Sequence, residues 1–361
     1  MQEPSLANKL TDEGIELLKN LISTPSTSKN EDKTAELLVN YFKKHGVEKV
    51  ERVINNVWAV NKYFDEKKPS ILLNSHHDTV LPSKSYTRDP FSPTVENGIL
   101  YGLGSNDAGG PLINLLTTFL YFYDKENLPY NFVICLSAEE ENSGVNGISA
   151  VINTLPKCEF AVVGEPTCME MSVAEKGILV LDCIAKGKAG HAARNNGINA
   201  IYKAIDDINW FRTYKFEKVS PWLGEVKCTV TGVNAGTLHN VIPEACNYMV
   251  DVRLTEKYTH EEALELIQKA LPNSEIKPRS FRLRSSQIDV NHKFVQCAKN
   301  MGFNLFGSPT TSDRAFIPYQ SVKMGPGDSN RSHTADEYIL LSEITEGVQK
   351  TINLFENFFG I

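Results

Sequence analysis

The sequence lacks the motifs of several common protein classes. Its seven cysteines are odd in number and scattered, with no Cys-x-x-Cys pair. That distribution argues against a disulfide framework or a zinc–thiolate site, and it predicts reduced, mostly buried thiols. No G-x-x-x-x-G-K-[ST] stretch follows the first predicted strand, which argues against a nucleotide-binding α/β protein.

Long apolar runs and long basic runs are also missing. No 18-residue apolar stretch occurs, and the first residues contain no apolar core of the kind that a signal peptide needs. The net charge is −7 without a basic run, which argues against nucleic acid or an anionic membrane as a partner. Together with the reduced cysteines, these features predict a cytoplasmic protein.

What is present is the composition of a globular protein large enough for two domains. The chain has 361 residues, of which 41% are hydrophobic and 22% are charged. At this length one small core is not expected, and two domains are.

The first and last parts of the chain alternate apolar strand patterns with helical patterns. The run Ile71-Leu72-Leu73 ends in His76, His77 and Asp78, and similar runs occur at 132–136, 160–163 and 320–324. This alternation predicts a largely parallel sheet flanked by helices, with chemistry at the carboxyl ends of its strands.

The middle of the chain has a different order. Strand patterns at 178–186, 225–233, 246–254 and 275–283 enclose helical patterns at 197–212 and 260–271. This is the ferredoxin-like βαββαβ order. We therefore predict an inserted domain at 178–283 within a discontinuous domain formed by 1–177 and 284–361.

Five strand ends or loops carry side chains of the kind that bind metals: His76, Asp107, Glu141, Glu165 and His333. Two imidazoles and three carboxylates suit zinc, cobalt or manganese. Three carboxylates supply enough charge for two ions, which can activate a water between them. Each residue alone would more often be a solvated loop carboxylate or a surface histidine, and it is the convergence of five such positions that suggests a metal site.

Six segments in order give the chain a family resemblance. They resemble the di-zinc deacylases and peptidases that include acetylornithine deacetylase and succinyl-diaminopimelate desuccinylase, and they span nearly the whole chain. The segments are Ser75-His76-His77-Asp78-Thr79-Val80, Gly104-Ser105-Asn106-Asp107, Glu139-Glu140-Glu141, Gly164-Glu165-Pro166-Thr167, Gly187-Lys188-Ala189-Gly190-His191 and His333-Thr334-Ala335-Asp336-Glu337-Tyr338.

The resemblance implies a zinc-peptidase-like α/β fold and a role for each ligand-type residue. His76 would hold one metal and His333 the other, with Asp107 bridging them. Glu141 and Glu165 would complete the two ligand sets, and Asp78 would orient the His76 imidazole. Two divalent ions are implied, Zn²⁺ first and Co²⁺ or Mn²⁺ as alternatives.

The general base is expected within Glu139-Glu140-Glu141, where the family usually has Asp-Glu-Glu. We assign Glu140 as the base and Glu141 as the ligand, because the distance from Glu140 to Gly147 fits the desuccinylase-like spacing. The alternative assigns Glu139 as base and Glu140 as ligand.

The inserted domain resembles the family's lid and dimerisation domain. In that reading His191 would reach the partner subunit's site and stabilise the oxyanion, Asn240 would assist it, and Arg253 would bind the substrate carboxylate. A salt bridge between Arg253 and Asp251 is the alternative.

The segment Thr310-Thr311-Ser312-Asp313-Arg314 resembles the family's Gly-Gly-Thr-Ser-Asp-Gly-Arg loop but lacks its glycines. Thr311 and Arg314 are therefore predicted substrate contacts, with the position of Arg314 left open.

The sequence thus predicts a homodimeric two-metal amidohydrolase that removes the N-acyl group from an amino acid. The favoured substrate is N-acetylornithine, or an N-acetyl or N-succinyl derivative of ornithine or citrulline, in arginine biosynthesis. Alternatives are a succinyl-diaminopimelate desuccinylase, an aminoacylase or a dipeptidase. A non-catalytic binding module is the alternative from another class, but every ligand and base position is filled.

Overall fold

The computed structural model describes residues 5–361, and the chain divides into two compact units. Unit 1 comprises the chain up to Val173 together with Gln287–Phe306 and Ser312–Ile361. Unit 2 comprises Ala174–Ser286 and Gly307–Thr311. The sequence placed the inserted domain at 178–283 and did not include the short second segment of unit 2.

Eight α-helices lie in the described residues, and their lengths follow the apolar spacing of the sequence. They are α1 Leu6–Ile22, α2 Asp32–Lys44, α3 Gly110–Tyr123, α4 Ile148–Val151, α5 Ala200–Thr213, α6 His260–Ala270, α7 Lys293–Asn300 and α8 Leu341–Phe359. None of them is long and apolar enough to cross a membrane.

The described strands range from long core strands to pairs of residues. They are β1 Val50–Val53, β2 Asn56–Val60, β3 Ser70–His76, β4 Thr94–Glu96, β5 Ile99–Tyr101, β6 Asn131–Ser137, β7 Phe160–Val163, β8 Met171–Glu175, β9 Gly177–Lys186, β10 Gly190–His191, β11 Lys227–Ala235, β12 Val241–Ile242, β13 Ala245–Leu254, β14 Ser274–Pro278, β15 Ser286–Gln287, β16 Leu305–Ser308, β17 Ser321–Lys323 and β18 Tyr338–Leu340.

The main sheet has the order β1-β2-β6-β3-β7-β17-β8-β15, with β16 paired to β8. Its central strands β6, β3, β7 and β17 are parallel to one another. On one side, β2 pairs antiparallel with β6, and β1 pairs antiparallel with β2. On the other side, β8 pairs antiparallel with β17. Every residue of β3 and β6 is buried, as expected for parallel strands covered on both faces. The predicted mixed, largely parallel α/β fold is confirmed.

Aromatic side chains fill much of the core between this sheet and its helices. Phe122 of α3 packs against Phe132 of β6 and Phe355 of α8, and all three are fully buried. Such rings contribute large apolar areas and favour edge-to-face contacts. This packing attaches α3 and α8 to β6 on one face of the sheet.

Unit 2 has the predicted order of strands and helices, with the short antiparallel pair of β10 and β12 added. Its four long strands form an antiparallel sheet in the order β11-β13-β9-β14. Thr259 and Glu262 form a capping box at the start of α6. The roles of this unit as a lid and as a dimerisation domain stay predictions.

Three local features differ from a simple pattern of strands and helices. Residues 147–154 contain only the single turn α4. The strand predicted at 275–283 covers only Ser274–Pro278. The segment 82–97, rich in proline and serine, includes β4, which pairs with β5 in the three-stranded sheet β18-β5-β4.

Candidate metal centre and active site

Five metal-type side chains of unit 1 meet at one edge of the main sheet. His76 is the last residue of β3, and Glu141 and Glu165 lie in the loops after β6 and β7. Asp107 lies in the kinked segment Ser105–Gly109 that precedes α3, where its own backbone angles are not helical, and His333 lies in the loop before β18. The carboxyl ends of parallel strands meet at one edge of a sheet, so residues far apart in the chain become neighbours.

These residues form two clusters that share Asp107. The His76 half consists of His76, Asp107 and Glu165, and the His333 half consists of Asp107, Glu141 and His333. In each half, one donor atom from every residue lies within 4.8 Å of the others. His76 Nε2 is 3.2 Å from Asp107 Oδ1, and His333 Nε2 is 3.7 Å from Asp107 Oδ2. One aspartate carboxylate therefore faces both histidines, one through each oxygen.

The three consecutive glutamates after β6 point in different directions. Glu140 Oε2 lies 3.9 Å from His76 Nε2, and Glu141 Oε2 lies 2.9 Å from His333 Nε2. Glu139 has a positive φ of 51°, and its carboxylate accepts hydrogen bonds from Asn146 instead. This geometry favours Glu140 as base and Glu141 as ligand, and it gives no support to the alternative register.

Asp78 links the His76 imidazole to the glutamate turn. His76 Nδ1 is 3.1 Å from the Asp78 carbonyl and 3.4 Å from its Oδ1. The same carboxylate accepts the backbone N–H groups of Glu140 and Glu141, and Ser28 donates its hydroxyl to it at 2.7 Å. Asp78 thus holds a ligand and the predicted base in one hydrogen-bonded unit.

Glu337 positions the Asp107 loop, a role that our sequence analysis missed. Its Oε1 accepts the backbone N–H groups of Asn106 and Asp107 at 2.9 Å each, and its Oε2 accepts that of Gly104 at 3.0 Å. The side chain is buried, and burial together with the Asp107 charge raises the pKa of Glu337 to about 7. In the sequence, the only indication of a role for Glu337 was its place in the segment that begins at His333.

The His333 loop is clamped on both sides of the histidine. Arg331 forms a two-fold ion pair with Glu343 at 2.7 and 3.0 Å. Asp336 accepts the backbone N–H groups of Thr87 and Arg88, each at 2.9 Å. These contacts fix a loop that has no regular secondary structure at His333.

A second buried carboxylate that the sequence analysis missed lies beneath the glutamate turn. Asp313 accepts a hydrogen bond from Ser137, the last residue of β6, and Asn74 of β3 donates to the same hydroxyl. Burial raises the pKa of Asp313 to about 6. The connection ties the ends of two neighbouring strands to the segment after residue 312.

The histidines and carboxylates of the site shift one another's pKa values. Burial lowers the pKa of His76, but its contacts with Asp107 and Asp78 outweigh burial and hold that pKa well above the usual range. The hydrogen bond with Glu141 raises the pKa of His333 to about 9. Burial raises the pKa of Glu140 well above its ordinary value, and the neighbouring carboxylates add to this. Crowded carboxylates with this arrangement are what a cation neutralises.

The donor chemistry fits divalent metals. Imidazole nitrogens and carboxylate oxygens without thiolates suit zinc, cobalt or manganese. His77, beside the ligand His76, instead faces inward, where its ring nitrogens contact Thr34 Oγ1 at 3.0 Å and the Asn55 carbonyl at 2.9 Å. Burial lowers the pKa of His77 to about 4, which indicates a neutral, structural histidine and not a ligand.

Three further predicted residues lie in unit 2. His191 and Asn240 are exposed neighbours, because His191 pairs with Val241 in the β10–β12 ladder and Ala192 donates to the Asn240 carbonyl at 3.0 Å. Arg253 forms a salt bridge with Asp251, with its Nε 2.8 Å from Oδ1. This ion pair is the alternative that the sequence left open, and the substrate roles of all three stay predictions.

Thr311 and Arg314 both use their side chains within the protein. The Thr311 hydroxyl donates to the Lys176 carbonyl at 2.8 Å. Arg314 has no exposed surface, and its guanidinium donates to the Ser172 carbonyl at 3.3 Å and to the Ser321 hydroxyl at 3.1 Å. The placement of Arg314 disagrees with a substrate contact, because a buried guanidinium that binds backbone and serine oxygens presents no face to a ligand.

Comparison with known proteins gives matches along nearly the whole chain. The sequence model of Peptidase family M20/M25/M40 matches residues 72–357. A succinyl-diaminopimelate desuccinylase from Psychromonas ingrahamii is 25% identical over 359 residues, covering 91% of this chain and 94% of that protein. An acetylornithine deacetylase from Shigella sonnei is 28% identical over 360 residues, covering 90% of this chain and 92% of that protein.

A solved structure has the same fold. The dinuclear metal-binding peptidase of family M20 from Bacillus subtilis superposes with a TM-score of 0.76 at 18% identity, covering 98% of this chain and 99% of that one. The two kinds of sequence relative are similar to this chain to nearly the same degree. Sequence similarity therefore does not choose between their substrates.

Proposed function

Because the chain belongs to Peptidase family M20/M25/M40, as its motifs predicted, we propose that it hydrolyses the amide bond of an N-acyl amino acid. Metal-dependent amide hydrolysis is the activity of the family. The observation that carries the proposal is the pair of donor clusters sharing Asp107, with Glu140 beside them.

The metals of the proposal are two Zn²⁺ ions, with Co²⁺ or Mn²⁺ as alternatives. His76 and Glu165 would hold one ion, Glu141 and His333 the other, and Asp107 both. Two such ions, when bound, polarise the scissile carbonyl and lower the pKa of water. Asp78 keeps the His76 ring oriented through Nδ1, which fixes Nε2 as the nitrogen that faces the ion.

Glu140 moves the proton in the proposed reaction. Its carboxylate accepts a proton from the attacking water and later donates it to the leaving amine nitrogen, so that the carboxylate is regenerated. Burial and the surrounding carboxylates favour the protonated form between these two steps. His191, assisted by Asn240, reaches the site of the partner subunit and stabilises the oxyanion there. Arg253 binds the substrate carboxylate after leaving its pair with Asp251.

The favoured substrate is N-acetylornithine, or an N-acetyl or N-succinyl derivative of ornithine or citrulline, which places the enzyme in arginine biosynthesis. The Gly164-Glu165-Pro166-Thr167 motif supports this branch. The second candidate, desuccinylation of succinyl-diaminopimelate, is favoured by relatives such as the Psychromonas protein. We expect a homodimer. A cytoplasmic location is supported by the seven free cysteines.

A deacylation screen tests the proposal. The purified protein, loaded with zinc or cobalt, is assayed on N-acetyl- and N-succinyl-ornithine, the matching citrulline derivatives and succinyl-diaminopimelate, with dipeptides as the competing class. Turnover of an ornithine or citrulline derivative is expected, and turnover of succinyl-diaminopimelate alone would select the second candidate. Turnover of dipeptides only would overturn the deacylase proposal. Absence of both turnover and bound metal would favour a binding module.

A further inference from the structure

A pocket of about 200 Å³ opens beside the His333 half, within unit 1. One wall is the loop after β3, with Val80, Leu81 and Tyr86, and the opposite wall is His333 with Thr334. The neighbouring His333 imidazole faces Glu141, so the pocket adjoins the proposed reaction centre.

The chemistry of the pocket is largely aliphatic. Val80, Leu81 and Leu103 supply alkyl surface, and the polar lining groups other than the imidazole are hydroxyls. No lining residue, all of them within the described chain, is a carboxylate, lysine or arginine, and the His333 imidazole already faces Glu141 at 2.9 Å. Leu81 is 78% exposed, so its alkyl side chain is accessible to a ligand.

The two walls are fixed relative to one another. Asp336, three residues after His333, accepts the backbone N–H groups of Thr87 and Arg88 at the end of the Val80–Tyr86 wall. The pocket is therefore preorganised and does not require a loop to order when a ligand binds. Preorganised walls reduce the entropy cost of binding.

The position of Glu140 decides which part of a substrate would reach the pocket. Glu140 lies beside His76, 3.9 Å from its Nε2, whereas the next residue turns to His333. The leaving nitrogen has to approach Glu140 to receive its proton, so the amine product lies toward the His76 half. The other side of the scissile bond, the acyl chain, then extends toward the His333 half and its pocket.

We propose that this pocket is the acyl subsite and that it selects uncharged aliphatic acyl groups longer than acetyl over the anionic succinyl group. The inference rests on the proposed function and narrows its substrate class. An acetyl group leaves most of the pocket unfilled. A succinyl group brings a carboxylate to walls whose one basic group, the His333 imidazole, is already paired with Glu141, so the carboxylate pays a desolvation penalty without gaining a free cation.

The test compares N-acetyl, N-butanoyl, N-hexanoyl and N-succinyl derivatives of one amino acid. Each added methylene is expected to raise kcat/KM by about threefold to fourfold until the pocket is full, from ~0.8 kcal/mol per buried methylene. The N-succinyl derivative is expected to be poorer than N-butanoyl, which has the same chain length. Equal or better use of N-succinyl, or no gain with length, would overturn the inference while leaving the deacylase function in place.

Two variants test whether the selectivity for the acyl group depends on Leu81. Leu81→Lys puts a cation on the wall, so the ratio of kcat/KM for N-hexanoyl to N-succinyl substrate should fall by about tenfold or more. Leu6→Lys, at another exposed leucine in α1 (55% exposed), should leave that ratio unchanged. An unchanged ratio in Leu81→Lys would remove Leu81 from the subsite.

A binding measurement separates failure of the subsite from failure of the proposed reaction. Calorimetry on the metal-loaded wild-type protein should show tighter binding of hexanoate than of succinate or acetate. This preference without turnover of any acyl amino acid would retain the pocket and reject the deacylase proposal. Equal binding of the three acids would reject the pocket.

Discussion

The two halves of the site are built in different ways around the shared Asp107. His76 is 1% exposed at the end of a fully buried parallel strand, and the sheet itself sets its position. His333 is 56% exposed in a loop, and ion pairs and hydrogen bonds to other segments set its position. The His76 half is therefore part of the protein core, whereas the His333 half is attached to the core through contacts of its loop.

The largest loss of activity is expected on substitution of Glu140, which lies on the His76 side. Glu140→Gln should lower kcat by about 10²–10⁴-fold, because the amide cannot accept the proton. Metal content should stay at the wild-type value, since Glu140 is not a proposed ligand. Glu139→Gln is the matched variant, because the Glu139 carboxylate faces Asn146. Loss of activity in Glu139→Gln equal to that in Glu140→Gln would reverse the assignment.

The two histidines should differ in their effect on stability. His76→Ala removes a buried cationic ring between Asp78 and Asp107, so metal-free protein should lose roughly 3–5 kcal/mol of unfolding free energy. His333→Ala removes an ion pair with Glu141 whose histidine is 56% exposed, so it should cost only about 1 kcal/mol or less. Denaturant unfolding of the metal-free variants measures both. Equal destabilisation would contradict the distinction between a core half and an attached half.

The sequence was most informative where the fold is periodic. The apolar run before His76 predicted a buried strand with ligands at its end, and the structure has both. The alternation of strands and helices likewise predicted the mixed α/β sheet. These features depend on residues that are close in sequence, so a local pattern suffices to find them.

Features that depend on distant pairing were not predictable in the same way. Glu337 accepts N–H groups more than 200 residues away, and nothing in its local sequence indicates that its carboxylate is buried. The short strand β16 forms by pairing with β8, which lies far from it in the sequence. Arg314 was assigned to substrate from a loop motif, whereas packing against Ser172 and Ser321 determines its position.

Substitution of Glu337 tests how strongly metal binding by the two halves depends on the position of Asp107. Glu337→Gln replaces one acceptor oxygen by an NH₂ group, which cannot accept the N–H groups of both Gly104 and Asn106–Asp107. The Asp107 loop should shift, and metal affinity or kcat should fall by about 10–100-fold. Glu346→Gln, on the exposed face of α8, is the control and should match wild type. Normal metal affinity in Glu337→Gln would show that other contacts suffice to place Asp107.

The smallest loss of activity and metal affinity is expected on substitution of Asp336, which joins the His333 loop to the Val80–Tyr86 wall. Asp336→Ala removes the acceptor of Thr87 and Arg88, and the net loss of one or two hydrogen bonds corresponds to about threefold to tenfold. The loss should appear in kcat/KM for the longer acyl substrates and in metal affinity of the His333 half. Binding to the His76 half should be unchanged, because its ligands are held by the sheet, by Asp78 and by Glu337. A metal titration that resolves two binding steps measures this, and equal weakening of both steps would show that the two halves are one cooperative unit.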